Sequence, residues 1–238
     1  MSRKTGRRTR PRVELRESRH GRELIIDDTF ASWYEPGRVA TGSVWDALVA
    51  PLLVLPRARR RRVLVLGLGG GSAARVARAL APSARIVGVE RDPEVIRLAR
   101  RGFDLDEIGV EVVEDDARAF LERDRGRYDL VLDDVFVGSG DAVRKPDWLP
   151  HPGTGLAARR VATGGLLVCN TLDETAAVAT VLRTLFPALL RIDVDEFDNR
   201  VLVAGPRGLQ AAALRRAVAA NPVLSGTLPR LRFRTLTA

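Results

Sequence analysis

VLVLGLGGGSAARVARAL, residues 63–80, passes from four aliphatic residues into a glycine cluster and out into an alanine-rich segment. The pattern predicts a strand ending at Gly67, a turn through Gly69 and Gly71, and a helix starting near Ser72. Such a junction aims bare backbone N–H groups and a helix N-terminus at one point, a setting suited to a nucleotide or a similar polar ligand. Dinucleotide enzymes, methyltransferases and plain strand-to-helix turns share it, so the rest of the chain has to choose among them.

Downstream, strand and helix alternate: strand 63–66, helix 72–81, strand 85–89, helix 93–101, strand 110–114, helix 117–123 and strand 128–133. After an interruption come strand 165–170, helix 174–185, strand 189–195 and strand 200–204. Continuous apolar strands alternating with helices predict an α/β fold, a Rossmann-like doubly wound sheet of seven strands covered on both faces. Only EFDN (196–199) separates the last two strands, which suits a hairpin and an antiparallel edge. Upstream, RVELRESRHGRELIIDDTFASWY (12–34) reads as short strands punctuated by His-Gly and Asp-Asp, a small N-terminal β-hairpin unit. TGSVWDALVAPLL (41–53) follows with Val44, Leu48 and Leu52 at helical spacing. The domains expected are a disordered basic arm over 1–11, the β-hairpin unit with its helix over 12–56, and the Rossmann-like domain over 57–238.

The 238 residues carry a formal charge of +9, but unevenly. Six basic side chains and no acid lie in the first twelve residues, and RARRRR (57–62) adds five arginines. Of 39 basic residues only Lys4 and Lys145 are lysines, a skew that looks like coding bias. The basic arm therefore reads as a solubilising tail rather than as a nucleic-acid-binding one. The longest apolar stretches, such as ALVAPLLVLP (47–56), are too short to span a bilayer, and no apolar region follows the N-terminal charges, so a cytoplasmic protein is the default. Cys169, the single cysteine, sits in an apolar strand as a small buried hydrophobe, and with His20 and His151 the only histidines, no metal site is expected.

In a doubly wound sheet, ligands bind outside the carboxyl ends of the strands, where strand order reverses. The first end is the glycine cluster. The second is IVGVERDPEVIRLAR (86–100), in which Glu90 stands about twenty residues beyond the glycine turn, placed to accept ribose hydroxyls or else to sit at the surface. Asp92-Pro93 there is a helix cap and first-turn proline. The third is VEVVEDDARAFL (110–121), whose Asp116, followed by Ala117, either accepts an exocyclic amine of a nucleobase or caps the helix. The fourth, YDLVLDDVFVGSGD (128–141), delivers Asp133 and Asp134 beside the glycine turn, the place for a group that takes an acceptor's proton or else for a residue that only caps or hydrogen-bonds the next loop.

Together these ends resemble the class I S-adenosylmethionine-binding fold, and most closely the spermidine synthase (polyamine aminopropyltransferase) family, over roughly residues 20–205. The resemblance implies that Gly67, Gly69 and Gly71 hold the methionine-derived part of the cofactor, Glu90 the ribose and Asp116 the adenine amine, with Asp134 as the catalytic base. It also implies a cofactor, S-adenosylmethionine or its decarboxylated form, a small-molecule acceptor that an amine would suit, and a homodimer. Three positions depart from the family. Gly70 stands where an aspartate contacts the aminopropyl amine, and Val137 where a second aspartate grips the polyamine. TGSVWDAL (41–48) replaces the tyrosine-histidine-glutamate stretch of the amine pocket. These departures favour methyl transfer over aminopropyl transfer.

The segment VGSGDAVRKPDWLPHPGTG (137–155) is the expected substrate loop. Trp148 in it either covers the acceptor or pins the loop to the core, and His151 is either an acid–base group or a surface residue. Trp33, Tyr34 and Trp45 either line the same pocket or simply pack. Two other classes compete with the transferase. A nicotinamide oxidoreductase fits the glycine loop and Glu90 but lacks a Tyr-x-x-x-Lys or histidine proton donor and leaves DDARAFL unexplained. A noncatalytic nucleoside-binding protein with an RNA-binding arm is the other.

Overall fold

The computed structural model describes residues 12–236; the basic arm expected over 1–11 lies outside the described residues. The chain opens with three short strands, β1 (Val13–Ser18), β2 (Gly21–Ile26) and β3 (Thr29–Tyr34), paired antiparallel in the order β1-β2-β3. The second turn places both Asp27 and Asp28 in the left-handed region, at φ 46° and 61°. That geometry matches the twist of a tight hairpin, and aspartate tolerates it. The hairpin unit is thus a three-stranded sheet, and Leu24 and Tyr34 bury its inner face against Val95, Leu98 and Phe103.

Helix α1 (Val44–Val49) continues into a 3-10 turn at Ala50–Val54. All six residues of α1 are buried, and Leu48, Val49 and Leu52 share one core cluster with Val63 and Ala77. This helix, grouped with the N-terminal unit by its place in the sequence, packs into the main sheet instead. A segment buried on every side, Asp46 included, needs cover all round, which three short strands cannot supply.

The main sheet alternates β4 (Arg62–Leu66), α2 (Ser72–Leu80), β5 (Arg85–Glu90), α3 (Pro93–Gly102), β6 (Val110–Glu114), α4 (Ala117–Arg123) and β7 (Tyr128–Asp133). It continues through α5 (Gly153–Ala158), β8 (Val161–Thr171), α6 (Thr175–Leu185), β9 (Ala188–Val194), β10 (Arg200–Gly205), α7 (Ala211–Ala219) and β11 (Leu231–Thr235). The order is β11-β9-β10-β8-β7-β4-β5-β6, parallel from β8 to β6 and antiparallel where β10 meets β8 and β9. Eight strands stand where seven are expected, because β11 adds antiparallel to β9 at the edge. Its LRFRT, mostly exposed, alternates arginines with apolar residues and has no continuous apolar run. An edge strand lacks the burial that marks an inner one.

Side chains alternate along the inner strands and split into two cores. Val63, Val65, Leu130, Leu132, Leu166 and Val168 face the layer with α1, α2 and α7. Leu64, Leu66, Val131, Leu167 and Cys169 face the layer with α4, α5 and α6. The chain steps outward from β4 through β5 to β6 and then returns to β7 on the other side of β4. The crevice between the ends of β4 and β7 is therefore the topological switch point.

Candidate active site

At that crevice Gly67 follows β4 with φ 79°, and the Asp134 N–H after β7 donates to Leu66 O at 2.9 Å. A Cβ on Gly67 would lie 2.6 Å from the Asp134 carbonyl oxygen. Only glycine allows the two strand ends to run this close, and the closeness sets Asp134 beside the glycine loop.

The loop's amides are already occupied within the protein. Gly67 and Leu68 donate to Val89 O, Gly69 to Glu90 Oε2 at 3.0 Å, Gly70 to Ser32 Oγ at 2.7 Å, and Gly71 to Leu68 O. The expectation of bare N–H groups converging on a ligand is corrected here. The N-terminal sheet covers the start of α2, where Ser72 Oγ donates to Trp33 O and accepts from Trp33 N. What the loop presents to a ligand is its close-packed backbone and the carboxylate it holds.

That carboxylate is Glu90. Besides Gly69 it accepts the N–H groups of Arg91 at 2.9 Å and Asp92 at 3.1 Å through Oε1. Burial pushes its pKa up, and the three backbone donors pull it back. Asp92 caps α3 through Glu94 N, with Pro93 as first helical residue. Asp116 is the cap of α4, accepting Arg118 N and Ala119 N, but both bonds fall on Oδ1. Cap and ligand roles are compatible, since Oδ2 takes neither bond.

One cleft of about 960 Å³ joins Gly67, Gly69, Glu90, Asp116, Ala117 and Asp134. It is wide enough for an adenosine, a thioether arm and a small acceptor. Trp148, half-buried, both lines this cleft and packs on the core. Gly71 and His151 do not line it. Gly71 starts α2 at φ 85°, and a Cβ there would meet Leu105 at 2.7 Å, so its role is in packing. His151 is exposed on the loop. Trp45 lines the cleft, edge-on to Phe30 at 5.3 Å, whereas Trp33 and Tyr34 pack under Arg38 and Arg75.

Asp134 is held by donors on both of its carboxylate oxygens. Trp45 Nε1 donates to Oδ2 at 3.2 Å and Asn170 Nδ2 to Oδ1 at 2.7 Å, while Asn199 Nδ2 donates to Asn170 Oδ1 at 2.9 Å. Burial drives its pKa up to about 6 against the pull of these donors and of Lys145. Its neighbour Asp133 turns inward and is paired with Lys145 at 2.8 Å. Asn170 and Asn199 are the functional candidates that reading the strand ends missed. Asn170 lies one residue before the end of the parallel strand β8, the same edge that marks Glu90 and Asp134. Among the described residues no group of three His, Cys, Asp or Glu side chains is arranged to hold a metal, and no helix is long and apolar enough to cross a membrane.

Residues 63–144 match the methyltransferase domain family. The structure superposes on a probable spermidine synthase from Corynebacterium glutamicum with a TM-score of 0.76 at 22% identity, covering 94% of this chain and 88% of that one. The chain has the class I S-adenosylmethionine-dependent transferase fold, close to that of the spermidine synthases. Within this fold its curated relatives divide between two chemistries. An eEF1A lysine and N-terminal methyltransferase homolog of Drosophila pseudoobscura pseudoobscura is 32% identical over 154 residues, 60% of this chain and 23% of that protein. A polyamine aminopropyltransferase of Mycobacterium tuberculosis is 34% identical over 195 residues, 73% of this chain and 34% of that protein. The chain thus spans between about a quarter and a third of the length of these relatives.

Proposed function

We propose that the protein is an S-adenosylmethionine-dependent methyltransferase acting on a small acceptor amine. The observation that carries this reading is the single cleft in which Glu90 and Asp116, at successive strand ends, meet Asp134, a carboxyl at the switch point whose pKa burial pushes up to about 6. The residues fit the cofactor: a carboxylate held by the glycine loop, then a capping carboxylate with one oxygen unused by the cap. Glu90 would hold the ribose hydroxyls, Asp116 and the Ala117 edge the adenine, and Gly67 and Gly69 the methionine-derived arm. When bound, S-adenosylmethionine supplies an electrophilic methyl group on a sulfonium.

The chain's own residues do the rest. An amine reaches the cleft protonated and must lose a proton to become a nucleophile; Asp134 Oδ accepts it. Trp45 and Asn170 hold that carboxylate from two sides, and Asn199 fixes which way the Asn170 amide faces. Trp45 and Trp148, with Phe30 at the rim, give the reacting centre an apolar wall that would limit water, which group transfer from a sulfonium needs more than strong acid–base help. The acceptor side is acidic despite the chain's net charge, with Asp27, Asp141, Glu196 and Asp198 on its lining. Of the charged groups there, Glu196 is paired with Arg230, and Arg191 and Arg200 with Asp193, which leaves Asp27, Asp141 and Asp198 to set the sign. An acidic, aromatic lobe suits a cation.

Aminopropyl transfer is the second reading, supported by the relatives of that name. Against it stand Gly70, whose would-be side chain points at Ser32 and Phe103, and Val137, which pairs through its backbone with Arg144. On the favoured reading the enzyme works in the cytoplasm as a homodimer and without nucleic acid. Calorimetry against S-adenosylmethionine, its decarboxylated form, S-adenosylhomocysteine, methylthioadenosine and NAD tests the class and the donor together. Tighter binding of S-adenosylmethionine than of the decarboxylated form is expected; micromolar NAD with no thioether binding would overturn the reading.

A further inference from the structure

Lys145 is the one lysine among the described residues, where every other basic side chain but the two histidines is arginine, and its side chain is fully enclosed. Its Nζ donates to Asp133 Oδ1 at 2.8 Å, to Val135 O at 3.1 Å and to Asp133 O at 3.4 Å. The two carbonyls belong to the residues immediately before and after Asp134. The ring of Phe136 lies 4.3 Å from the same ammonium, and the Lys145 N–H donates to Glu174 Oε1 at 2.7 Å, which ties the substrate loop to the start of α6. Asp133 Oδ1 also accepts Val135 N at 3.2 Å. Three oxygens around a point match the three donors of an ammonium, whereas a planar guanidinium presents five donors in a fork too wide for the space.

We infer that Lys145 is a positioning residue for Asp134: by gripping the backbone on both sides and neutralising Asp133, it holds Asp134 in the cleft as the only uncompensated carboxylate at the end of β7. The ionisable groups on the elements packed against Asp134 are Asp133 on β7, Lys145 on the loop and Cys169 on β8, whose thiol burial keeps neutral. Asn170 and Trp45 face it as neutral donors, and Glu90 and Asp27 line the same cleft. Removing the ammonium would leave two adjacent carboxylates unbalanced; removing the Asp133 charge would leave the ammonium unbalanced. The two changes therefore act on Asp134 in opposite directions. This inference rests on the reading of Asp134 as the base, but it can be tested without an acceptor.

The Trp45 indole N–H donates to Asp134 Oδ2, so its 1H–15N resonance reports the charge on that carboxyl. In the wild type one indole signal, missing in Trp45→Phe, is expected to titrate with a midpoint near 6 and to stop titrating in Asp134→Asn. Lys145→Met is expected to raise that midpoint by about one pH unit and Asp133→Asn to lower it, with Lys145→Arg failing to restore the wild-type value. Midpoints unmoved in both Lys145→Met and Asp133→Asn would overturn the inference, and so would a wild-type signal that does not titrate. If Lys145→Met does not fold, the direction of the shift in Asp133→Asn decides. Opposite shifts together with undiminished turnover in Asp134→Asn would leave the positioning intact and defeat only the base assignment.

Discussion

Ser32 Oγ accepts the Gly70 N–H at 2.7 Å and so ties the N-terminal sheet to the glycine loop at the position where the resembled aminopropyltransferases carry an aspartate. Ser32 is almost fully buried, and a Cβ on Gly70 would lie 2.8 Å from its Cβ and 3.0 Å from Phe103 Cδ1. The β unit thus occupies the space that an acidic side chain at 70 would need.

Gly70→Asp is accordingly expected to destabilise the fold by about 1–3 kcal/mol, the usual result of overpacking, without creating a preference for decarboxylated S-adenosylmethionine. Thermal unfolding and calorimetry check the two halves. A variant that binds the decarboxylated donor tenfold better than the wild type would mean that the loop can turn an acid toward the cleft.

Glu90→Ala is expected to weaken S-adenosylhomocysteine binding by about 1–3 kcal/mol. The carboxylate would be lost as a ribose ligand, and the Gly69, Arg91 and Asp92 amides would lose their acceptor. Glu90→Gln keeps one carbonyl oxygen for these donors and should fall between. Calorimetry on folded variants decides; an unchanged dissociation constant in Glu90→Ala would remove Glu90 from the site.

For Asp134→Asn the expectation separates binding from chemistry. Donor affinity should stay within about threefold while kcat drops by about 10² to 10⁴. An asparagine offers only one oxygen, so its NH2 would face the Trp45 N–H or the Asn170 NH2, and Asn199 opposes a compensating flip of Asn170. In the wild type, turnover should rise with pH through about 6 and level off above, because the carboxylate is the active form. The sign for stability is the reverse. A carboxyl whose folded pKa exceeds its unfolded value of 3.8 binds its proton more tightly when folded, so its contribution falls as pH rises from about 4 to about 6. Steady-state kinetics across pH 5–8, once an acceptor is found, would show a near-normal kcat in the variant if Asp134 only orients the loop.

Asp46 makes no contact with the cleft but is fully buried, accepting Thr41 N and Gly42 N at 2.9 Å, Thr41 Oγ1 at 2.9 Å and Thr227 Oγ1 at 2.6 Å. It joins the start of α1 to the segment ahead of β11. Asp46→Ala would orphan buried donors at both ends, and a loss of roughly 3 kcal/mol in unfolding free energy is expected. Denaturant melts check this, and a loss below about 1 kcal/mol would mean that water replaces the carboxylate.

The alternation of apolar strands with amphipathic helices was legible in the sequence because burial on both faces of a parallel sheet leaves unbroken apolar runs, as in VLVL and LLVC. That Glu90 and Asp134 stand at one edge of the sheet was legible for a related reason, since each follows such a run, whereas Asp116 was placed there by the strand-to-helix alternation, its own strand VEVVE having no unbroken apolar run. Strand β11 was not, since an edge strand exposed on one side carries no such run. Nor could residue order show that Ser32 takes the Gly70 amide 38 positions away, that Asn199 orients Asn170 across β10 and β8, or that Lys145 binds the carbonyls on either side of Asp134. Local periodicity records which face of an element is buried, whereas which polar atoms meet across elements depends on the pairing of β4 with β7 and on the sheet laid over α2, and distance along the chain does not encode those.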